Sequence, residues 1–161
     1  MSGTVSGRHA REEPGRAPEA SGATPPADED WAILVAAART VRDRSYSPYS
    51  RYPVGAAART DSGRIVTGCN VENASFGLTL CAECGVLSQL HATGGGRITA
   101  LVCVDAADVP ILPCGRCRQL LVEHADPETP VLSPEGPITL GELLPHQWKL
   151  TEPTQHGRRA R

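Results

Sequence analysis

The first apolar pattern along the chain is that of an amphipathic helix. Its apolar positions recur every three or four residues: Trp31, Leu34, Val35, Ala38 and Val41. Side chains at this spacing share one face of a helix and can pack against a core. Asp28 or Asp30 is predicted to cap the first turn, and the turn-forming residues 46–50 are predicted to follow the end of the helix.

A β pattern follows this helix. Residues 54–60 and 64–69 are predicted strands, and Asp61-Ser62-Gly63 between them predicts a hairpin turn. Residues 98–104 form an uninterrupted apolar run, which is typical of a central strand covered on both faces.

Two further helices are predicted between and after these strands. The second helix is predicted to begin near Cys81 and to end at Gly94. Its buried residues are expected to be Val86, Leu87 and Leu90. The third helix follows Pro113 and carries the apolar residues Leu120, Leu121 and Val122. Two short strands and a small helix are predicted near residues 131, 138 and 142–144. Strands that alternate with helices predict a layered α/β sandwich.

Composition distinguishes both ends from the middle of the chain. Residues 1–29 contain four prolines and few large apolar side chains, so they are predicted to form a disordered extension. Residues 150–161 have a similar composition and end in three arginines, which predicts a disordered basic tail. Residues 30–149 remain as one predicted domain of common size.

Charge and hydropathy exclude several classes of protein. The formal net charge is −2, and the predicted domain has no basic stripe of the kind that binds nucleic acid. The first residues lack the continuous apolar region of a secretory signal, and no apolar stretch approaches the length of a membrane span. We therefore expect a cytoplasmic protein that binds neither membranes nor nucleic acid.

Four of the six cysteines occur in two C-x-x-C pairs, Cys81 with Cys84 and Cys114 with Cys117. Without a secretory signal, this spacing favours metal binding over disulfide bonds. Both pairs lie at predicted helix N-termini, where unpaired N–H groups and the helix dipole favour the thiolate form. The remaining two cysteines are interpreted as small buried apolar residues: Cys69 and Cys103.

Three of these cysteines and one glutamate predict a catalytic zinc site. Cys81, Cys114 and Cys117 can hold one zinc ion and leave its fourth position open to water, and Glu83 is placed to carry protons beside it. The alternative is a structural site with Cys84 as fourth ligand. The catalytic interpretation is favoured because these cysteines begin apolar-faced helices. The histidines are not spaced to replace a cysteine, and two of them are interpreted as helix-surface or core residues: His91 and His124.

Two polar and aromatic segments accompany the zinc motifs at residues 81–83 and 113–119. They are YSPYSRYPVG at 46–55 and NVENASFG at 70–77. In this order and spacing, the segments resemble the small, homotetrameric, zinc-dependent cytidine deaminases, from about Trp31 to Trp148. The resemblance implies a three-layer α/β/α sandwich around a mixed five-stranded sheet, with one zinc ion per chain. The implied reaction is hydrolytic deamination of cytidine and deoxycytidine to uridine and deoxyuridine, in pyrimidine salvage.

The resemblance also implies a role for each matching residue. The implied zinc ligands are Cys81, Cys114 and Cys117, and Glu83 is the implied general acid and base. Asn70 and Glu72 match residues that bind the ribose 3′-hydroxyl, and two residues this far apart on an extended segment point to the same side. Further implied substrate contacts are Tyr52, against the pyrimidine ring, and Ala82. Two aromatic residues match side chains that reach the site of a neighbouring subunit: Phe76 and Trp148.

One position departs from the family pattern. Many members carry an arginine directly after the catalytic glutamate, where it donates hydrogen bonds to the zinc thiolates, but this chain has Cys84 there. Three thiolates exceed the charge of Zn²⁺ by one, which weakens the metal as a Lewis acid. We expect Arg116 to compensate this charge, with Arg118 as the alternative, and Cys84 to be either a neutral filler or an occasional ligand.

Three other functions compete with this interpretation. A blasticidin-type deaminase resembles the chain at residues 113–119 but is not expected to keep the Asn-x-Glu-Asn segment at 70–73. Nucleic-acid deaminases usually place histidine where Cys81 stands. A zinc-stapled binding module would leave Glu83 and the Asn-x-Glu pair without a shared purpose.

Overall fold

A computed structural model describes residues 26–149 of the chain. The helices within this range are α1 (Asp28–Arg42), α2 (Ala82–Ala92), α3 (Gly115–Leu121), α4 (Leu140–Leu143) and a short 3-10 helix (Phe76–Leu78). The strands are β1 (Gly55–Thr60), β2 (Ile65–Cys69), β3 (Ile98–Val104), β4 (Pro110–Ile111), β5 (Pro130–Ser133) and β6 (Gly136–Thr139). Of the predicted disordered ends, residues 1–25 and 150–161 lie outside the described residues. The prediction of disorder is wrong for residues 28 and 29, which belong to α1. Within the described range, no helix is both long and apolar enough to cross a membrane.

The strands form one mixed sheet in the order β2-β1-β3-β5-β6. Neighbouring strands are antiparallel except for β3 and β5, which are parallel. The sixth strand, β4, pairs antiparallel with the end of β3, where Cys103 opposes Ile111. Because β1 occupies one edge of β3 along its length, β4 takes the other edge. The expected five-stranded sheet is therefore a six-stranded one, since a two-residue strand is too short to leave a periodic pattern.

Helices cover both faces of the sheet, as the apolar run of β3 predicts. Ala100, Val102 and Val104 pack on one side with Trp31 and Leu34 of α1. Leu101 and Cys103 point to the opposite side, where the core includes buried residues of α2 and α3. The predicted α/β/α layers are thus confirmed. This arrangement brings α2 and α3 to the same face of the sheet.

A close approach between two glycines sets the position of α2. A Cβ atom on Gly68 of β2 would collide with the carbonyl oxygen of Ala82 and lie 2.5 Å from the amide nitrogen of Val86. A Cβ atom on Gly85 of α2 would lie 2.9 Å from the Gly68 Cα. The backbone of α2 therefore packs directly against β2. This contact fixes the position of Cys81, at the start of α2, relative to the sheet.

Several predicted helix boundaries differ from the structure. Asp28 is the first residue of α1 and Asp30 is its third, so the prediction that one of them is the N-cap is wrong. The N-cap position belongs to Ala27, whose side chain makes no capping hydrogen bond. The Asp30 carboxylate instead accepts from the Ala27 N–H at 3.3 Å and from Arg59 at 2.8 Å. The acidic side chains of the first turn still stabilise the positive end of the helix dipole. The helix α1 begins at Asp28, two residues before the predicted start of the domain.

The short C-terminal helix also differs from its predicted range of 142–144. It begins at Leu140 because Thr139 caps it, with the Thr139 hydroxyl accepting from the Glu142 N–H at 3.2 Å. The Glu142 carboxylate accepts from the Thr139 N–H at 2.9 Å in return. This reciprocal pair is a capping box, and a threonine followed three residues later by a glutamate is its sequence signal.

Candidate metal centre and active site

Three cysteine thiols converge where the first turns of α2 and α3 meet. Cys81 is the N-cap residue of α2, Cys114 is the N-cap residue of α3, and Cys117 lies in the first turn of α3. Their sulfur atoms all lie within 4.8 Å of one another, and the Sγ atoms of Cys81 and Cys114 are 3.9 Å apart. Sulfurs bound at about 2.3 Å to one tetrahedral zinc ion lie about 3.8 Å apart. The three thiols therefore fit a zinc ion.

The local sequence explains why these thiols meet. Cys81 and Cys114 both have extended backbone angles directly before a helix, so each side chain lies at the positive end of that helix. Arg118 fixes the loop before α3, because it donates to the carbonyl oxygen of Pro113 at 2.8 Å and to that of Leu143 at 3.0 Å.

The three thiols differ in acidity. Burial raises the pKa of Cys81 to about 11 and raises the pKa of Cys117 further. The nearby negative charge of Glu83 adds to the increase at both thiols. Burial also acts against ionisation at Cys114, but hydrogen bonds from the backbone and side chain of Cys117 lower its pKa. Metal binding must therefore displace protons from the more buried thiols.

Glu83, Cys81 and Cys114 line one cavity of about 200 Å³, and Cys117 lies behind its wall with its sulfur within 4.8 Å of the other two thiols. Glu83 is 4% exposed and belongs to the first turn of α2. The cavity wall is apolar at Val54, Ile111 and Leu112, and it is polar at Asn70 and Glu83. Ala82 also lines it. An apolar cleft with a few directed polar groups suits a small organic molecule.

Cys103 lies in the same cavity wall, a position that the sequence pattern does not reveal. It is buried on β3, as predicted. Burial, together with the charge of Glu83 and a hydrogen bond to it, raises the pKa of the Cys103 thiol well above its usual value. Cys103 therefore stays a neutral thiol beside Glu83. The same prediction is wrong for Cys69, which is only half-buried because it ends the edge strand β2.

Asn70 and Glu72 both turn toward the segment at residues 45–54. The Asn70 Oδ1 atom accepts from the Val54 N–H at 2.8 Å, and its Nδ2 donates to the Tyr52 carbonyl at 3.0 Å. The Glu72 carboxylate accepts from the Tyr49 and Ser50 N–H groups at 2.9 and 3.2 Å. A hydrogen bond with the Ser50 side chain lowers the pKa of Glu72, and the backbone hydrogen bonds from Tyr49 and Ser50 lower it further. Only Asn70 of this pair lines the cavity.

The three aromatic candidates lie outside the cavity wall of the single chain. The Tyr52 hydroxyl donates to Asp105 at 3.0 Å. Phe76 is 78% exposed and Trp148 is 65% exposed. The side-chain amide of Gln119 holds the Trp148 backbone, accepting from its N–H at 3.2 Å and donating to its carbonyl at 2.8 Å. Their roles at a substrate stay predictions.

Arg116 and Cys84 face each other across the two helices. The Arg116 guanidinium lies 3.9 Å from the Cys84 sulfur and donates to the Thr79 carbonyl at 3.1 Å. Cys84 is not part of the three-thiol cluster. The Arg118 guanidinium is held by backbone carbonyls. The Arg116 guanidinium contacts a sulfur outside the cluster, so its compensation of the thiolate charge stays a prediction.

Comparison with known proteins gives a consistent result. Residues 29–133 match the family described as the cytidine and deoxycytidylate deaminase zinc-binding region. The chain is 54% identical to a cytidine deaminase of Mycobacterium tuberculosis over 125 residues, which cover 78% of this chain and 94% of that protein. It is 39% identical to the cytidine deaminase of Halalkalibacterium halodurans over 121 residues, 72% of this chain and 92% of the other. The crystal structure of a cytidine deaminase from Mycobacterium tuberculosis superposes with a TM-score of 0.73 at 55% identity, covering 75% of this chain and 98% of that one.

Proposed function

We infer, because this chain belongs to the cytidine and deoxycytidylate deaminase family, that it is a zinc-dependent hydrolase that converts cytidine and deoxycytidine to uridine and deoxyuridine. The observation that carries the proposal is a cluster of three thiols, two of which line the same cavity as the buried Glu83. A cytoplasmic role in pyrimidine salvage is part of the same proposal, because the reaction recovers uridine from cytidine.

The residues of the cavity supply the remaining chemistry. We assign Cys81, Cys114 and Cys117 as the ligands of zinc, which when bound acts as a Lewis acid that makes water a nucleophile near neutral pH. Glu83 accepts a proton from the attacking water and delivers it to the pyrimidine ring nitrogen, and it later transfers the proton of the resulting C4 hydroxyl to the departing amine. Water and cytidine thereby give uridine and ammonia. Asn70 and Ala82 contact the substrate from the cavity wall.

The direct test is the incubation of purified protein with cytidine. We expect the cytidine absorbance to fall while one ammonia is released for each cytidine consumed. A blasticidin-type nucleoside antibiotic in a parallel assay distinguishes the closest rival activity. Turnover of the antibiotic without turnover of cytidine would contradict the proposal, and so would zinc-loaded protein that is inactive on both.

The ribose assignment gives a second expected result. Glu72→Ala should lose about tenfold or more in kcat/KM on cytidine, because a hydrogen bond to a charged group contributes about 1.5–3 kcal/mol. The matched substrate is 3′-deoxycytidine, which lacks the hydroxyl that Glu72 is proposed to bind. The loss should be much smaller on this substrate. Equal losses on both substrates would show that Glu72 acts only by holding the turn at Tyr49 and Ser50.

We also propose that the active protein is a homotetramer with active sites shared between subunits. Phe76, Leu78 and Trp148 are each large apolar residues that are well exposed on the single chain, and exposed apolar surface often marks interfaces. Phe76 and Trp148 are the proposed contributions to a neighbouring site. Light scattering of the active protein should give four times the mass of one chain. A fully active monomer would refute this proposal.

Charge compensation by Arg116 gives a further expected result. Arg116→Ala should lower kcat about tenfold and leave the zinc content unchanged, since one charge that stabilises the reacting centre by about 1.4 kcal/mol is worth that factor in rate. Arg116→Lys keeps the positive charge and should recover part of the rate. If Arg116→Ala and Arg116→Lys are equally impaired, the hydrogen bond to Thr79 is the important contact rather than the charge.

A further inference from the structure

Two histidines meet at the ends of α2 and α3 that lie opposite to the zinc site. His91 lies in the last turn of α2, and His124 follows the end of α3 by three residues. The Nε2 atom of His91 lies 3.4 Å from the Nδ1 atom of His124. The ring centroids are 4.9 Å apart and the rings are inclined at 73°.

We propose that His91 and His124 form a second metal-binding site, for a divalent transition-metal ion. Imidazole nitrogens bound at about 2.0–2.1 Å to one tetrahedral ion lie about 3.4 Å apart, which matches the observed separation. An ordinary protein hydrogen bond from N–H is shorter, about 2.9–3.0 Å. In the absence of an ion the two rings are in contact through a long hydrogen bond, and the same spacing suits two ligands of one ion.

The surroundings favour a cation at this pair. The C-terminal end of α2 carries the negative end of the helix dipole, which stabilises positive charge. Burial, and then the neighbouring His91, lower the pKa of His124, so its imidazole is neutral and able to ligate near pH 7. The positive charge of the nearby Arg97 acts against a cation here, but Arg97 is paired with Asp126 at 2.6 Å, and the exposed Glu123 carboxylate beside His124 attracts positive charge.

An ion bound by this histidine pair links α2 to the segment that follows α3. The catalytic zinc joins α2 and α3 at their N-termini, through Cys81 and Cys114. An ion held by His91 and His124 joins the same two helices at their other ends. Imidazole ligands suit zinc, copper, nickel and cobalt, and the exposed side of His91 leaves coordination positions for water. Binding should therefore stabilise the helix pair that carries the thiols.

The test is titration of the zinc-loaded full chain with Co²⁺. We expect a second equivalent to bind while zinc is retained, and its spectrum should lack the intense near-ultraviolet sulfur-to-cobalt band of a thiolate site. His91→Gln and His124→Gln should each weaken this binding about tenfold or more, because even changes around metal ligands commonly cost 10- to 100-fold in affinity. The matched control is His146→Gln, which alters an exposed histidine after α4 and should bind as the parent does.

The thermal midpoint provides an independent readout. Co²⁺ should raise the Tm of the parent and of His146→Gln, and it should leave the Tm of both pair variants unchanged. The proposal is overturned if the parent binds no second ion, or if the second ion binds equally well to His91→Gln and His124→Gln. Because metal binding and Tm are measured rather than turnover, these outcomes are independent of whether cytidine is the substrate.

Discussion

Glu83→Gln should abolish most of the cytidine turnover while the protein keeps one zinc ion per chain. Glutamine has nearly the same shape as glutamate, so it fits the site in which Glu83 is 4% exposed. It cannot accept and return a proton, however. Proton transfer by a positioned side chain contributes about 100- to 10,000-fold, and Glu83 is proposed to serve more than one step. We therefore expect a loss of at least two to three orders of magnitude in kcat, about 2.7–4 kcal/mol of transition-state stabilisation.

The measurement pairs turnover with metal content. The kcat is obtained from the loss of cytidine absorbance, and zinc is quantified on the same sample. Glu128→Gln, which changes an exposed glutamate between α3 and β5, is the control and should be as active as the parent. Near-normal turnover by Glu83→Gln would rule out the proposed proton carrier. Loss of zinc together with activity would instead make Glu83 a residue that holds the metal site together.

The zinc centre could be predicted from the sequence because its determinants are local. Each of the three clustered cysteines lies at or next to the start of a helix, and a helix start presents its first side chains and N–H groups at one end. Two helix starts on the same face of a sheet come together when both helices pack on that face, and the apolar pattern already predicts this packing. Glu83 follows Cys81 within the same turn, so its position is fixed by the same helix.

Features that depend on contacts between distant segments could not be predicted. Cys103 has the same apolar surroundings as its neighbours on β3, and only the packing of α2 brings it beside Glu83. The hydrogen bonds between Asn70 and the backbone of residues 52 and 54 depend on how the edge strand β2 packs against the loop before β1. His91 and His124 are separated by 33 residues, and each read alone is an ordinary helix-surface or core residue. Their approach follows from the register in which α2 and α3 pack.

The second large effect is expected from removing a zinc ligand. Cys117→Ser should reduce the zinc content to a small fraction of one ion per chain and eliminate detectable deamination. A serine hydroxyl does not ionise near neutral pH, so only two thiolate ligands would remain. The Tm should also fall, because metal binding that requires the folded state adds its free energy to that of folding. Cys117 is fully buried in the first turn of α3, and no other thiol of the described residues joins the cluster to replace it.

Cys84→Ser is the matched control for this variant, since it makes the same chemical change three residues after Cys81. Cys84 faces Arg116 at 3.9 Å instead of the cluster, so Cys84→Ser should keep one zinc ion and nearly full kcat. Zinc content, kcat and Tm measured on the two variants separate the two models of the site. If Cys84→Ser also releases zinc or raises activity, the metal has four cysteine ligands and the open catalytic position is wrong. If Cys117→Ser keeps its zinc, Cys117 is not a ligand, and the three-thiol assignment fails.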